Sequence, residues 1–334
     1  MNLRIATRKS ALALWQAERV GGWLRERGHA CELLPISTEG DRILDRSLAE
    51  AGGKGLFVKD LEQALADQRA DLAVHSAKDV PFAISDAFVL SAFCAREDPR
   101  DALVAPFAKR FANLPRGARV GTSSLRRAVQ LLAERPDLIV VPVRGNVQTR
   151  LARATGATVV RGGVEVRPAE GDPQGPLDAV VLALAGLRRL GLDGEVTEIL
   201  PPELSLPAAG QGALAIETLR GSPGLEATAP LDDAPTARCV RAERAVLARL
   251  AGGCTVPVAA YGLLEGDRIW LRAALGGPDG KGGVIVVRAE MRGSATGPEA
   301  LGKGVAEALL DKGGAPLLEA ARSQASGLPA PKRA

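Results

Sequence analysis

The segments Arg4-Ile5-Ala6-Thr7-Arg8-Lys9-Ser10 and Arg119-Val120-Gly121-Thr122-Ser123-Ser124 carry the reading of the fold. Each begins as a short apolar strand, breaks at Thr or Ser, and runs into a helical pattern. Outward from the first, Leu3–Thr7 reads as a strand and Ser10 to about Arg27 as a helix, with Leu12, Trp15, Val20 and Trp23 at helical spacing. Cys31–Ser37 is a second strand. Leu56–Gln68 is a helix entered through Gly52-Gly53-Lys54-Gly55, and Asp71–His75 a short strand. Outward from the second, Ser124–Arg135 is a helix stopped by Pro136. Leu138–Val143 is a strand, Val147–Ala154 a helix and Asp178–Leu184 a strand. This alternation predicts two similar α/β domains with mostly parallel sheets. From about Ala234 the pattern changes: a helix (Thr236–Arg249), strand-like Ile269–Ala274 and Val284–Met291, then a last helix. That is a smaller α+β domain. Thr155–Leu177, glycine-rich and without periodicity, reads as an exposed excursion.

Length and composition fit this organisation. A chain of 334 residues is long enough for two or three domains. Its 46 % apolar and 25 % charged residues are those of ordinary globular proteins, and with 3 % aromatics the core falls to Leu, Val and Ala. A net charge of +4 without clustered Lys/Arg and aromatics excludes a nucleic-acid binder. No apolar run is long enough to span a bilayer. The N-terminus reads as a strand rather than a leader, so a reducing cytoplasm is expected. The four cysteines (Cys31, Cys94, Cys239, Cys254) form no C-x-x-C pair, and the two histidines add little, so no metal site is expected.

Chemistry concentrates where strands end. Thr122-Ser123-Ser124-Leu125-Arg126-Arg127 places hydroxyls at a helix entrance and two guanidiniums in its first turn. Free N–H groups and the helix dipole favour anions there. Arginines in that position work against the dipole and invite an anion; an N-cap serine with a solvated basic face is the ordinary alternative. Other turns repeat the pattern: Arg8 with Ser10, Lys54 among glycines, Arg144 after a strand, and Arg150 in the next helix. Gly52–Gly55 is no Walker A loop. Ligands of such sheets bind at these turns, so repeated cations point to a polyanion. Arginine suits carboxylates because its planar fork binds two oxygens.

His75-Ser76-Ala77-Lys78-Asp79-Val80-Pro81 lies at the carboxyl end of a buried-looking strand. A fixed Asp79 carboxylate there stabilises a developing cation and passes protons; an Asx turn before Pro81 is the plain alternative. His75 reads as a structural group. Cys254, in Gly252-Gly253-Cys254-Thr255-Val256-Pro257, is either an exposed attachment point or a small buried hydrophobe. Cys31 reads as core.

These segments, with Glu39–Asp45, Gly52–Glu62, Arg96–Asp101, Arg144-Gly145-Asn146-Val147, Ala185–Gly191 and Leu206–Gly212, resemble the porphobilinogen deaminase (hydroxymethylbilane synthase) family in order along nearly the whole chain. The resemblance implies three domains, the first two similar to type II periplasmic binding proteins with mixed sheets. These are 1–95 with 212–230, 100–206 carrying an inserted loop at about 155–177, and 234–334, which bears the cysteine. It implies a dipyrromethane cofactor held through a thioether to Cys254, and head-to-tail condensation of four porphobilinogens with loss of ammonia. Lys78 and Asp79 would be catalytic. Arg8, Ser10, Lys54, Phe57, Ser76, Thr122, Ser123, Ser124, Arg126, Arg127, Arg144, Gly145, Arg150, Arg189 and Gln211 would hold cofactor and substrate, Phe57 by stacking. A monomer is implied, with the product passing to a separate uroporphyrinogen III synthase. The sequence departs from the family pattern at Glu50, where some relatives have Lys, at Thr155–Leu177, and around Cys254, flanked by Ala251 and Thr255. The competing reading is a non-catalytic solute-binding or effector-sensing protein of similar fold. It needs neither Cys254 nor Asp79.

Overall fold

The computed structural model describes residues 1–38, 55–155, 159–161, 164–166, 176–250 and 256–323. Elements are numbered in chain order among these residues. The first sheet holds β1 (Asn2–Arg8), β2 (Ala30–Ile36), β3 (Leu72–Ser76), β4 (Phe88–Phe93) and β12 (Leu214–Leu219), in the order β2-β1-β3-β12-β4. The second holds β5 (Asp101–Val104), β6 (Arg119–Gly121), β7 (Ile139–Val141), β10 (Ala179–Ala183) and β11 (Glu198–Ile199), in the order β11-β5-β10-β6-β7. The third is the antiparallel meander β13 (Val258–Glu265), β14 (Arg268–Pro278), β15 (Val284–Ser294). A short hairpin, β8 (Val159–Arg161) with β9 (Val164–Val166), occupies part of the stretch read as an excursion. Helices are α1 (Ala11–Arg25), α2 (Gly55–Ala66), α3 (Leu125–Glu134), α4 (Val147–Thr155), α5 (Leu184–Arg189), α6 (Pro223–Thr228), α7 (Ala234–Arg249), α8 (Pro298–Leu309) and α9 (Ala315–Ser323).

The echo between the two quoted segments is a shared plan. In one sheet β2, β1 and β3 run parallel; in the other β7, β6 and β10 do. Next comes an antiparallel strand, β12 or β5, and then an outer strand antiparallel to it, β4 or β11. Both β5 and β12 directly follow a crossing of the chain from one sheet to the other. The crossings, Cys94–Arg100 and Pro201–Ala213, therefore run side by side, with Glu97 N–H donating to Gly212 O at 3.2 Å. Gly212 sits at φ +92°, and a Cβ there would fall on the Glu97 carbonyl oxygen. A side chain would push the crossings apart.

Local sequence explains the helices. Ser10 caps α1, its Oγ accepting from Ala13 N at 3.3 Å. Ala17, Val20 and Leu24 form the buried stripe of α1. Helix α3 is unusual: Arg126 to Leu131 are all buried. One side faces the second sheet. The other meets the third domain, where a Cβ on Gly276 of β14 would collide with the Val129 side chain. The third core gathers Val246, Leu250, Ile269, Leu271, Val305 and Leu309, each with essentially no exposure. Each such side chain contributes roughly 1.5–3 kcal/mol by burial. Gly302 lets α8 approach α7, since a Cβ would strike the Ala242 carbonyl.

Candidate active site

The carboxyl ends of β1, β3 and β6 open onto the turns singled out above. Ser76 ends β3, and its Oγ accepts from Gln16 Nε2 at 2.9 Å, fixing β3 to α1. Ala77–Asp79 form a single 3-10 turn, closed by Val80 N–H on the Ala77 carbonyl at 3.3 Å. Lys78 and Asp79 are both half-buried. After β6, Thr122 Oγ1 accepts from Ser124 N at 3.2 Å. Ser123 Oγ donates to Val143 O at 2.6 Å and accepts from Val143 N at 2.9 Å. Both hydroxyls shape the turn. Ser124 is the N-cap residue of α3, without a side-chain cap bond. Gly145 takes φ +91°, which brings its carbonyl under Arg150 Nε at 2.9 Å.

Charge converges here from both sheets. Burial pulls the Arg150 guanidinium down to about 10; Arg127, Arg144 and Arg8 push the same way, and Asp79 opposes them. Arg8 and Asp79 come from the first sheet, Arg127, Arg144 and Arg150 from the second. Lys78 is lowered to about 8, first by burial, with Arg127 and Arg126 adding to it and Asp79 and Asp101 opposing. Cations that discourage one another's charge are stabilised when an anion comes near them.

Arg126 and Arg127 find an anion inside the protein. It is Asp101, at the start of β5 and fully buried. Arg126 donates to its two oxygens at 2.7 and 3.1 Å, and Arg127 to Oδ1 at 3.0 and 2.8 Å. Ser205 Oγ and Gln211 Nε2 add bonds of 2.7 and 2.8 Å. Burial alone would raise the Asp101 carboxyl; the two guanidiniums outweigh it and hold it far below the ordinary carboxylate range. Gln211 is almost wholly buried, its Nε2 also on the Pro99 carbonyl and its Oε1 accepting from Lys78 Nζ at 3.3 Å. Gln211 thus links the Lys78 turn to the Asp101 centre. In the sequence Asp101 closes Arg96–Asp101, one of the stretches that carry the family resemblance, but nothing there tells that its partners are Arg126 and Arg127.

A second buried carboxylate ties in the third domain. Glu243 of α7 accepts from both terminal nitrogens of Arg96, from Gly210 N at 2.7 Å and from Gly262 N at 2.8 Å. One side chain thereby holds both crossings and β13. Arg189 of α5 donates to the Gly212 carbonyl and lies 5.9 Å from the Trp15 ring, bridging the two sheets' domains. His75 is buried with Nε2 3.0 Å from Glu217 Oε2. Burial raises the thiols of Cys94, to about 12, and Cys239, to about 11, and also that of Cys31, so these three are inert beside an ordinary thiol. Lys54 and Cys254 lie outside the described residues, as does the side chain of Phe57 in α2. No group of three or more His, Cys, Asp or Glu that could hold a metal occurs among the described residues.

Family profiles match the chain twice: "Porphobilinogen deaminase, dipyromethane cofactor binding domain" over residues 3–227, and "Porphobilinogen deaminase, C-terminal domain" over residues 237–311. The chain belongs to the porphobilinogen deaminase family. Curated relatives named porphobilinogen deaminase, from Bordetella parapertussis and Bordetella bronchiseptica, are each 51 % identical over 314 residues, covering 93 % of either chain. Among solved structures, a periplasmic substrate-binding protein from Coxiella burnetii is similar at a TM-score of 0.40 and 13 % identity, over 69 % of this chain and 91 % of that one.

Porphobilinogen deaminases are enzymes of tetrapyrrole biosynthesis, so the solute-binding alternative falls away. The larger matched region is the one that binds the dipyrromethane cofactor. No helix among the described residues is long and apolar enough to cross a membrane.

Proposed function

We propose that this chain is a transferase. It joins four porphobilinogen molecules head to tail on a dipyrromethane held by a thioether to Cys254, releases ammonia at each step, and finally frees linear hydroxymethylbilane by hydrolysis, water supplying the hydroxyl group. The charges of Arg127, Asp79, Arg144 and Arg8, drawn from both sheets and all felt by Arg150, support this reading most directly. When bound, the dipyrromethane supplies the nucleophilic pyrrole carbon. The protein's own groups do the rest. Arg8, Arg144 and Arg150 neutralise acetate and propionate. The Asp79 carboxylate accepts from pyrrole N–H groups and lowers the energy of the cation formed as ammonia leaves. Lys78 carries its charge only below about pH 8, which suits it to carboxylate binding near neutrality. Arg126 and Arg127 are held on Asp101, two guanidiniums to one carboxylate, which leaves a net positive charge behind the Lys78 turn.

In this reading the first two domains (1–95 with 212–230, and 100–206) wall the cleft and the third (234–334) brings the cysteine. The enzyme works as a cytoplasmic monomer, and its labile product passes to uroporphyrinogen III synthase. The test is the intact mass of the purified protein beside a Cys254→Ser variant. An excess of two linked pyrroles in the first and none in the second is expected. A bare mass that porphobilinogen does not change would overturn the assignment.

A further inference from the structure

Arg244 stands on α7 directly after Glu243, but it reaches the other way, into the first domain. Its Nη1 donates to the Val80 carbonyl at 3.2 Å, and its Nη2 to those of Pro81 and Phe82 at 2.6 and 3.3 Å. These three residues directly follow Asp79. Among the described residues their carbonyls show no other hydrogen bond. Arg220 secures the far end of the same segment, with Nε on the Asp86 carbonyl at 3.0 Å and Nη2 on that of Phe88 at 3.4 Å. Burial lowers the Arg244 pKa, and the charge of the buried Glu217 opposes the change. A half-buried guanidinium that donates to three successive carbonyls of one turn holds that turn in place.

The helix that carries Arg244 also leads into Gly252–Pro257. One helix, continuous in sequence with the cysteine segment, therefore bears on the Asp79 turn. We infer that Arg244 is a positioning residue, which fixes the Asp79 turn against α7 and so holds the carboxylate in the place where it acts on the growing end of the chain. The inference rests on the roles proposed above for Asp79 and Cys254.

The experiment compares wild type, Arg244→Ala and Arg244→Lys. Cofactor loading is read by intact mass, folding by far-UV circular dichroism, and kcat and KM for porphobilinogen are expressed per folded, loaded molecule. A misplacement of about 1 Å costs on the order of 100-fold in rate. Arg244→Ala should therefore lower kcat by about 10- to 100-fold while KM stays within about threefold. Lysine keeps the charge but not the planar fork, so Arg244→Lys should recover only part of kcat. Unchanged kcat in loaded Arg244→Ala overturns the inference. So does a loss confined to KM, or one wholly accounted for by fewer folded or loaded molecules. If Arg244→Ala does not fold, the comparison of Arg244→Lys with wild type decides on the same criteria. A wild type that neither carries the added mass nor consumes porphobilinogen would instead sink the functional assignment itself.

Discussion

Replacing Asp101 with Asn removes one negative charge from a site with no solvent exposure and leaves two guanidiniums behind. Arg126 would keep the Leu206 carbonyl and Arg127 that of Val181, each a neutral acceptor. Removing one partner of a buried ion pair costs about 3–5 kcal/mol. Two cations share this carboxylate, so the upper end, about 4–5 kcal/mol, is expected. A typical domain has only about 5–15 kcal/mol in total, so the second domain should be close to unfolding in the variant. Urea unfolding followed by far-UV circular dichroism measures this. Tryptophan emission alone would mislead, because Trp15, Trp23 and Trp270 lie in the first and third domains. The pH dependence gives a second check. The Asp101 carboxyl is depressed in the folded state, so its contribution is complete above the unfolded value of about 3.9 and is lost as pH falls below it. Wild type should therefore weaken more than Asp101→Asn on acidification, and the gap between them should narrow. A loss below about 1 kcal/mol at neutral pH would refute the reasoning. It would mean that the guanidiniums readily find water or other acceptors.

Two further outcomes follow from the site. Asp79→Asn keeps the shape and removes the charge, so turnover should fall by at least ~100-fold with the thermal transition unmoved; near-normal turnover would take Asp79 out of the mechanism. Lys78, held at about 8 by burial, loses its charge above that pH, so kcat/KM should decline on the alkaline side. Lys78→Arg keeps the charge throughout and should move that decline to higher pH, while an unmoved limb would assign it to another group.

Much of the fold was legible because its signals are local. The α1 cap at Ser10, the stop of α3 before Pro136, and the strands read at Leu3–Thr7 and Arg119–Gly121 depend on neighbours within a few residues. The echo between those segments proved to be a strand order shared by two sheets. Other strands were not legible. β5 enters from a charged run and leads into no helix, so no strand-to-helix turn marks it as one marks β6. β4, β12 and β13 were missed as well, and the hairpin β8–β9 sits in a stretch without periodicity.

The cationic turns were equally visible, since a strand, a hydroxyl and a guanidinium follow one another in the chain. What each cation faces was not. The sequence presents Arg126 and Arg127 as a basic first turn open to a ligand. In the folded protein the third domain covers α3, and Asp101, Ser205 and Gln211 arrive from both crossings. Glu243 likewise gathers partners from three separate stretches, and Arg244 reaches across to the turn after Asp79. Residue order and composition determined the strands, the caps and the supply of cations, because these follow from short-range backbone and side-chain preferences. Tertiary structure alone decided which of those cations meet buried carboxylates and which stand beside Asp79. A buried charge must find its counter-charge through space, and distance along the chain does not predict which one it meets.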